Sequence, residues 1–272
     1  MKYIIKFSFI GSIAVVSFAA IVAFSPDATA AELSASESSL TFGTGVGIGP
    51  DYLGSKKNKT VPMLLLDYQH RSGLFASTQR GIGWGGESKA FEYSLAVNGR
   101  AERTDQDHKS LSFKSGSSEL LGMGTVKSSA VAQGNITYRL GDSARIHVNF
   151  EAPLTHRDNG STVQLGGEYT VWHSVANSVE LNGSMDVADG KYMRTYFGVS
   201  ATQSAASGYA IYAPKSGLYK VELSVGWTHR IDQHWRVVTV AGLERLTGDA
   251  GKSPISLRKN APQGGVMVSY SY

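Results

Sequence analysis

The chain has 272 residues, 42% of them hydrophobic and 18% charged, with a formal net charge of +4 and no cysteine. Without cysteine there is no disulfide framework, thiol nucleophile, Cys-based metal site or lipoprotein anchor. A mean hydropathy of −0.14 is too low for a bundle of membrane helices, and so small a net charge gives no reason to expect a nucleic-acid partner.

Lys2 and Lys6 give the chain a positive start, residues 7–24 are apolar, and Ala28-Thr29-Ala30 has the small-residue pattern of a cleavage site. Residues 1–30 are predicted to be a cleaved signal peptide and residues 31–272 the exported domain. Pro26 and the small-residue site favour cleavage over a retained anchor. Beyond Ala30 no apolar run approaches the ~18 residues of a spanning helix. The exported chain is therefore soluble or a barrel.

Leu40, Phe42, Thr44, Val46 and Ile48 alternate with Thr41, Gly43, Gly45, Gly47 and Gly49. This predicts a first strand with one bulky face and one nearly bare, inward face that leaves room for something. Pro50 to Ser55 turns the chain, and Lys56, Lys57 and Lys59 keep the turn wet. Residues 60–70 and 74–82 read as a hairpin across Arg71-Ser72-Gly73. Residues 91–100 alternate again, and 101–119 is a long polar stretch. Alternating segments follow at 130–140, 146–154, 163–171, 179–185, 193–199, 219–228 and 235–246. The chain closes with Val266, Val268, Tyr270 and Tyr272 on one side and Gly265, Met267, Ser269 and Ser271 on the other. A terminal strand with a greasy face ending in aromatics fits the last strand of an outer-membrane barrel.

Two features separate a barrel from a soluble sandwich. The segments run to about 10 residues, the length of a tilted membrane strand rather than the ~5–6 of soluble sheets. The polar faces carry Glu92, Arg139, Arg145, Glu151, Glu168, Glu180, Lys220 and Glu222, and few long helical segments are present to cover the apolar faces. Turned inside out, apolar faces meet lipid and charges pair in the lumen. The expected fold is all-β, a transmembrane antiparallel β-barrel of about 12 strands, an even number as in bacterial barrels. With both termini periplasmic, residues 50–60, 84–89, 141–143, 177–178, 202–216 and 247–262 face outside. Residues 101–124 then fall on the periplasmic side, where turns are normally short. A missed strand there and a second miscount before Thr202 would repair this; otherwise the segment folds into the lumen.

Gly45-Val46-Gly47-Ile48-Gly49-Pro50-Asp51-Tyr52-Leu53-Gly54-Ser55 resembles the opening of the MipA/OmpV family of outer-membrane proteins. So do Leu121-Gly122-Met123-Gly124, Tyr196-Phe197-Gly198-Val199-Ser200 with Gln203-Ser204-Ala205-Ala206-Ser207-Gly208, and Arg245-Leu246-Thr247-Gly248-Asp249-Ala250 with Ser253-Pro254. These marks run in order across nearly the whole exported chain. Gly251-Lys252 departs from the usual acidic or small pair, and Tyr272 replaces the commoner terminal Phe. The resemblance implies an outer-membrane localisation. It also implies a role as an MltA-interacting protein-like scaffold, joining a murein lytic transglycosylase to a bifunctional penicillin-binding synthase in peptidoglycan maintenance. Other members are surface antigens or adhesins. The family motifs mark no catalytic residue, cofactor or metal, so none is expected.

Gly81-Ile82-Gly83-Trp84-Gly85-Gly86 matches G-x-G-x-x-G, but no helix pattern follows, so a flexible loop is expected rather than a dinucleotide site. Gly248 to Ser253 lacks the first glycine of a P-loop. The seven histidines are scattered. His147 is expected to face the lumen near Asn149 and Glu151, and Ser143 lies ~13 Å from it along a strand, beyond hydrogen-bond reach. His70-Arg71-Ser72 resembles the His-x-Ser pair of outer-membrane phospholipases but falls on a turn. His229 and His234 lack metal-ligand spacing. Structural or interface roles are expected for all of them, and Trp84, Trp172, Trp227 and Trp235 are expected to form interface girdles. Candidate loop contacts are Asp51, Tyr52 and Ser55 with Asp249, Ser253 and Pro254, because barrel closure brings the first and last loops together. Mutual packing that caps the barrel is favoured over ligand binding. A narrow channel for small solutes is the alternative function; mixed-sign lumen charges count against a wide pore.

Overall fold

The computed structural model describes residues 38–108 and 114–272, and the expected signal peptide lies outside them. In chain order its strands are β1 (Ser39–Pro50), β2 (Asn58–Gln69), β3 (Leu74–Ser77), β4 (Gly81–Glu87), β5 (Phe91–Arg100), β6 (Arg103–Thr104) and β7 (Ser115–Gly116). They continue with β8 (Ser129–Leu140), β9 (Ala144–Pro153), β10 (Thr162–His173), β11 (Asn177–Ala188), β12 (Gly217–Arg230), β13 (Trp235–Leu246) and β14 (Asn260–Ser271). All but β6 and β7 join one closed antiparallel barrel, ordered β1-β14-β13-β12-β11-β10-β9-β8-β5-β4-β3-β2. The seam between β1 and β14 runs from Thr41 opposite Ser271 to Ile48 opposite Gly264. It closes the sheet, so every wall strand has neighbours and no long edge faces lipid unpaired along its whole length.

The alternation read from the sequence is the alternation of the wall. Phe42, Val46, Ile48, Leu95, Ile136, Phe150, Leu181, Leu223, Val266 and Val268 are exposed on the outside. Their partners in the pleat point into the lumen. An apolar exterior of this extent is stable only against acyl chains. The predicted tryptophan positions share one end of the cylinder. There Trp84 packs on Tyr93 at 5.6 Å, Phe91 on Tyr138 at 4.8 Å, Phe42 on Tyr270 at 5.2 Å and Trp235 on Tyr270 at 5.1 Å. These rings form the interfacial girdle.

Short turns at 70–73, 88–90, 141–143, 174–176 and 231–234 lie at the girdle end. The connections at 51–57, 78–80, 101–108 with 114–128, 154–161, 189–216 and 247–259 point the other way. Outer-membrane barrels keep short turns in the periplasm and long loops outside. Residues 84–89, 141–143 and 177–178 are therefore periplasmic, and the described residues of 101–124 are external, the reverse of expectation. The cause is two compensating misreadings. Residues 74–82 are two strands, not one, because Thr78-Gln79-Arg80 turns the chain and Gly81 takes the positive φ of +80° that ends the turn. Residues 193–199 are not a strand: they lie mostly in helix α1 (Gly190–Phe197), followed by α2 (Ala201–Ser207).

One further expectation is corrected. The Gly81–Gly86 run is strand β4, not a flexible loop. The bare face of β1 is crowded from the side by β14, while Gly43 and Gly45 stay partly accessible from the lumen. The ideal Cβ of Gly43 would come within 3.1 Å of the Ser269 Cβ, and that of Gly45 within 2.2 Å of the Val266 carbonyl oxygen. Side chains and backbone of adjacent strands already occupy the space beside these glycines.

Candidate functional site

The elaborated part of the molecule is the external end, where five loops build a dome over the barrel mouth. The Tyr52 hydroxyl donates to the Ile255 carbonyl at 3.0 Å, joining the first loop to the last. The Arg258 N–H donates to the Gly54 carbonyl at 2.9 Å. Gly54 has φ +101°, and a Cβ there would lie 2.8 Å from the Ser256 Cα, so glycine is required both for the turn and for the approach. The Ser55 hydroxyl donates to Glu119 Oε2 at 2.6 Å, and the Ser253 hydroxyl to the Phe197 carbonyl at 2.6 Å. Asp51 uses its carbonyl, which accepts from the Gly116 N–H at 3.2 Å and the Ser115 hydroxyl at 3.0 Å. Asp249 accepts at its carboxylate from the Lys215 N–H at 3.0 Å and at its carbonyl from the Tyr212 hydroxyl at 2.9 Å. Pro254 is half-buried between Ser253 and Ile255. The six candidate residues thus stand around one junction, most of them bonded to other loops.

Sequence reading missed the residues that make this junction solid. Ala188, Tyr192, Met193, Phe197, Tyr219, Leu246 and Ala250 form one buried cluster, and Tyr52, Leu120, Met123, Val199 and Ile255 form a second. Arg103 is buried beneath them and donates to the carbonyls of Tyr196 at 2.7 Å and Thr195 at 3.2 Å, satisfying the C-terminal end of α1. Outside this core, Asp107 accepts from the Ser118 N–H at 2.8 Å and from Lys57 Nζ at 3.1 Å. Those bonds, the Ser118 ones first, hold its carboxyl well below the usual carboxylate range. Burial pushes the Tyr52 phenol up, so it remains a donor.

Much of the lumen is packed, while inward groups such as Asn135, Thr137 and Glu92 stay partly exposed. Arg139 pairs with Glu92 at 2.7 Å and Glu87 at 2.8 Å, Arg100 with Glu151 at 2.5 Å, and Arg145 with Glu168 at 2.9 Å. Lys220 Nζ stands 3.3 Å from Glu222 and 3.7 Å from Asp186, with Lys220 2% and Glu244 1% exposed. The expected pairing of mixed-sign charges in the lumen is what the structure contains, between strands that lie side by side or nearly so in the wall. Val61, Leu65, Phe75, Val240 and Met267 fill the opposite wall.

His147 faces the lumen as expected, with Nδ1 3.7 Å from Glu168 Oε1, above Gly166. The His70 Nδ1 accepts from the Ser72 N–H at 3.2 Å and lies 2.8 Å from the Ser72 hydroxyl, a local bond of an exposed turn. Among the described residues no cluster of His, Asp and Glu could hold a metal ion.

The profile of the family described as "MltA-interacting protein MipA" matches residues 42–272. The chain belongs to the MipA family. No curated protein matches this MipA-family chain. Among solved structures it is similar to "KdgM porin in complex with disordered oligogalacturonate", at 9% identity and TM-score 0.45, covering 86% of this chain and 99% of that one. It is similar to the "CymD monoaromatic hydrocarbon channel" at 9% identity and TM-score 0.40, covering 96% and 94%. It is also similar to the outer membrane channel DcaP of Acinetobacter baumannii at 11% identity and TM-score 0.38, covering 87% and 98%. As a MipA-family barrel with an apolar wall and an aromatic girdle, the protein resides in the outer membrane.

The periplasmic end of this MipA-family barrel is plain by comparison. The tips of its hairpins expose Val175 at 85% and Ile231 at 57%, and the chain ends there in exposed Tyr272. The two tips are neighbours, because the Arg230 N–H donates to the Ala176 carbonyl at 2.7 Å.

Proposed function

We propose that this outer-membrane barrel is a non-enzymatic scaffold that brings a murein lytic transglycosylase together with a penicillin-binding synthase, delivered by a signal peptide at residues 1–30. The observation that carries the reading is membership of a family described by its interaction with MltA, over residues 42–272. The packed part of the lumen supports it, because the buried ion pairs of Arg145 with Glu168 and Lys220 with Glu222 narrow the passage open to solutes.

The cell wall lies beneath the outer membrane, so the contact face is the periplasmic end and not the external junction of Asp51, Tyr52, Ser55, Asp249, Ser253 and Pro254. Five of those six, all but Pro254, bond other loops of the dome. Val175 and Ile231, adjacent and apolar at the hairpin tips, are the anchors that a partner would cover. The chain has no native cysteine, so single-cysteine variants carry one label each. Val175→Cys and Ile231→Cys, each bearing a photo-cross-linker in intact cells, are expected to capture a murein hydrolase or synthase. Lys252→Cys on the external face is expected to capture neither. Capture from Lys252→Cys alone, or from none of the three, would overturn the scaffold reading.

A further inference from the structure

The barrel wall is not equally tall all round. β3 has only four residues and β4 seven, against twelve in β2 and ten in β5. A membrane-crossing strand needs about 9–11. The β3–β4 hairpin therefore turns back at residues 78–80, part-way up the wall. Pairing of β2 with β3 stops at Asp67 opposite Ser77, and pairing of β4 with β5 stops at Ile82 opposite Val97. Above that level, among the described residues, β2 pairs only with β1 and β5 only with β8.

The notch so formed has a defined chemistry. The Leu66 carbonyl accepts from the Thr78 N–H at 2.9 Å, on the β3 side. Main-chain groups alternate sides along a strand, so Leu64, Pro62 and Thr60 turn theirs into the notch. The Thr78 hydroxyl satisfies the Leu64 carbonyl at 3.0 Å. Pro62 has no N–H to offer, which disfavours a further strand on this edge. Across the notch, a Cβ on Gly99 would meet nothing within 4 Å. The rim is apolar: Leu64, Leu66, Leu95 and Ile82 are exposed, Ile82 at 73%. The floor is closed, since Val61, Leu65 and Phe75 are buried behind it and the Arg80 guanidinium stacks 4.2 Å over Phe75.

Depth follows from the strand. Tyr68, exposed at the end of β2 beside the 70–73 turn, lies at the girdle level, and Leu64 to Thr60 lie four to eight residues above it, about 10–20 Å up a tilted strand in a band ~25 Å tall. That is the outer leaflet. A pure hydrocarbon would leave the Pro62 carbonyl and the Thr60 groups unsatisfied at a cost. An amphiphile would not. The outward end of the same edge carries Lys56 and Lys57, both exposed, and the Lys56 ammonium has no ion pair among the described residues.

We propose that the notch between β2 and β5 seats a phosphorylated, acylated glycolipid of the outer leaflet, one acyl chain lying over the β2 edge and a phosphate resting on Lys56. The test uses the full chain in mild detergent, with a photo-reactive label on Thr60→Cys and, as control, on Leu223→Cys on the far wall. The probes are bis-phosphorylated lipid A, dephosphorylated lipid A and phosphatidylethanolamine. Thr60→Cys is expected to cross-link lipid A about tenfold better than the other two lipids, the size of one charge-assisted contact. Lys56→Glu should remove that preference, and Gly99→Trp should remove the adduct while the barrel still migrates as a folded band. Leu223→Cys should show no preference. Equal labelling of all three lipids by Thr60→Cys, an adduct with another protein, or a cross-link confined to this chain would each overturn the proposal.

Discussion

Gly45→Val is expected to prevent the barrel from closing. The ideal Cβ at Gly45 lies 2.2 Å from the Val266 carbonyl oxygen and 2.7 Å from the Met267 Cα, and both are backbone atoms. No rotamer relieves that overlap. The wall must give way, and it must give way at the β1–β14 seam that turns a sheet into a cylinder. Overpacking a core with a movable neighbour costs about 1–3 kcal/mol; displacing a strand across a closing seam costs more, because it opens main-chain groups to lipid. The readout is the difference in gel mobility between unheated and boiled samples, which the variant should lose. Gly134→Ala is the matched control. Its nearest neighbour is the Leu95 Cδ2 at 3.5 Å, an ordinary contact, so the shift should survive.

Phe197→Ala is expected to undo the dome while leaving the wall intact. Phe197 is 0% exposed, with its ring 5.9 Å from Tyr219 and 6.4 Å from Tyr192. Removing a buried phenyl costs about 3–5 kcal/mol. The loss falls on loops held by side chains, since the ladder of the barrel does not pass through α1. Limited proteolysis should therefore cut the variant within residues 189–216 and 247–259 at concentrations that spare the parent chain. The unheated sample should still run as a folded barrel. Protection equal to the parent would show that the two apolar clusters do not hold the loops.

Most of the wall was legible in the sequence because a membrane barrel writes its pleat directly into hydropathy. Val266, Val268, Tyr270 and Tyr272 could be placed on one face from their spacing, and outside once segment length and the charged opposite faces had pointed to a barrel. Loop architecture was not legible in the same way, because its contacts join residues far apart in the chain, as Tyr52 does with Ile255. Some signals were nonetheless present. Met193, Thr195, Phe197 and Val199 do alternate, but Tyr192, Met193, Tyr196 and Phe197 also repeat at helical spacing. Asp189 precedes them as an N-cap, its carboxylate accepting from the Tyr192 N–H at 2.7 Å. Ser200 and Gln203 form a capping box that starts α2. The missed turn at Thr78 to Gly81 had the opposite sign in the strand count. The total therefore came out right while the ends of the cylinder were exchanged for everything between them. The candidate residues of the first and last loops were placed on the correct end because they lie outside the two errors.

The central claim is that apolar side chains face lipid while paired charges and packed apolar groups shut the interior. Planar-bilayer recording of the purified, refolded chain tests it most directly. A barrel inserted with its dome and lumen as described should add no discrete ohmic steps in simple salt. Stable steps of the size given by an open pore, from protein confirmed as folded, would contradict the account.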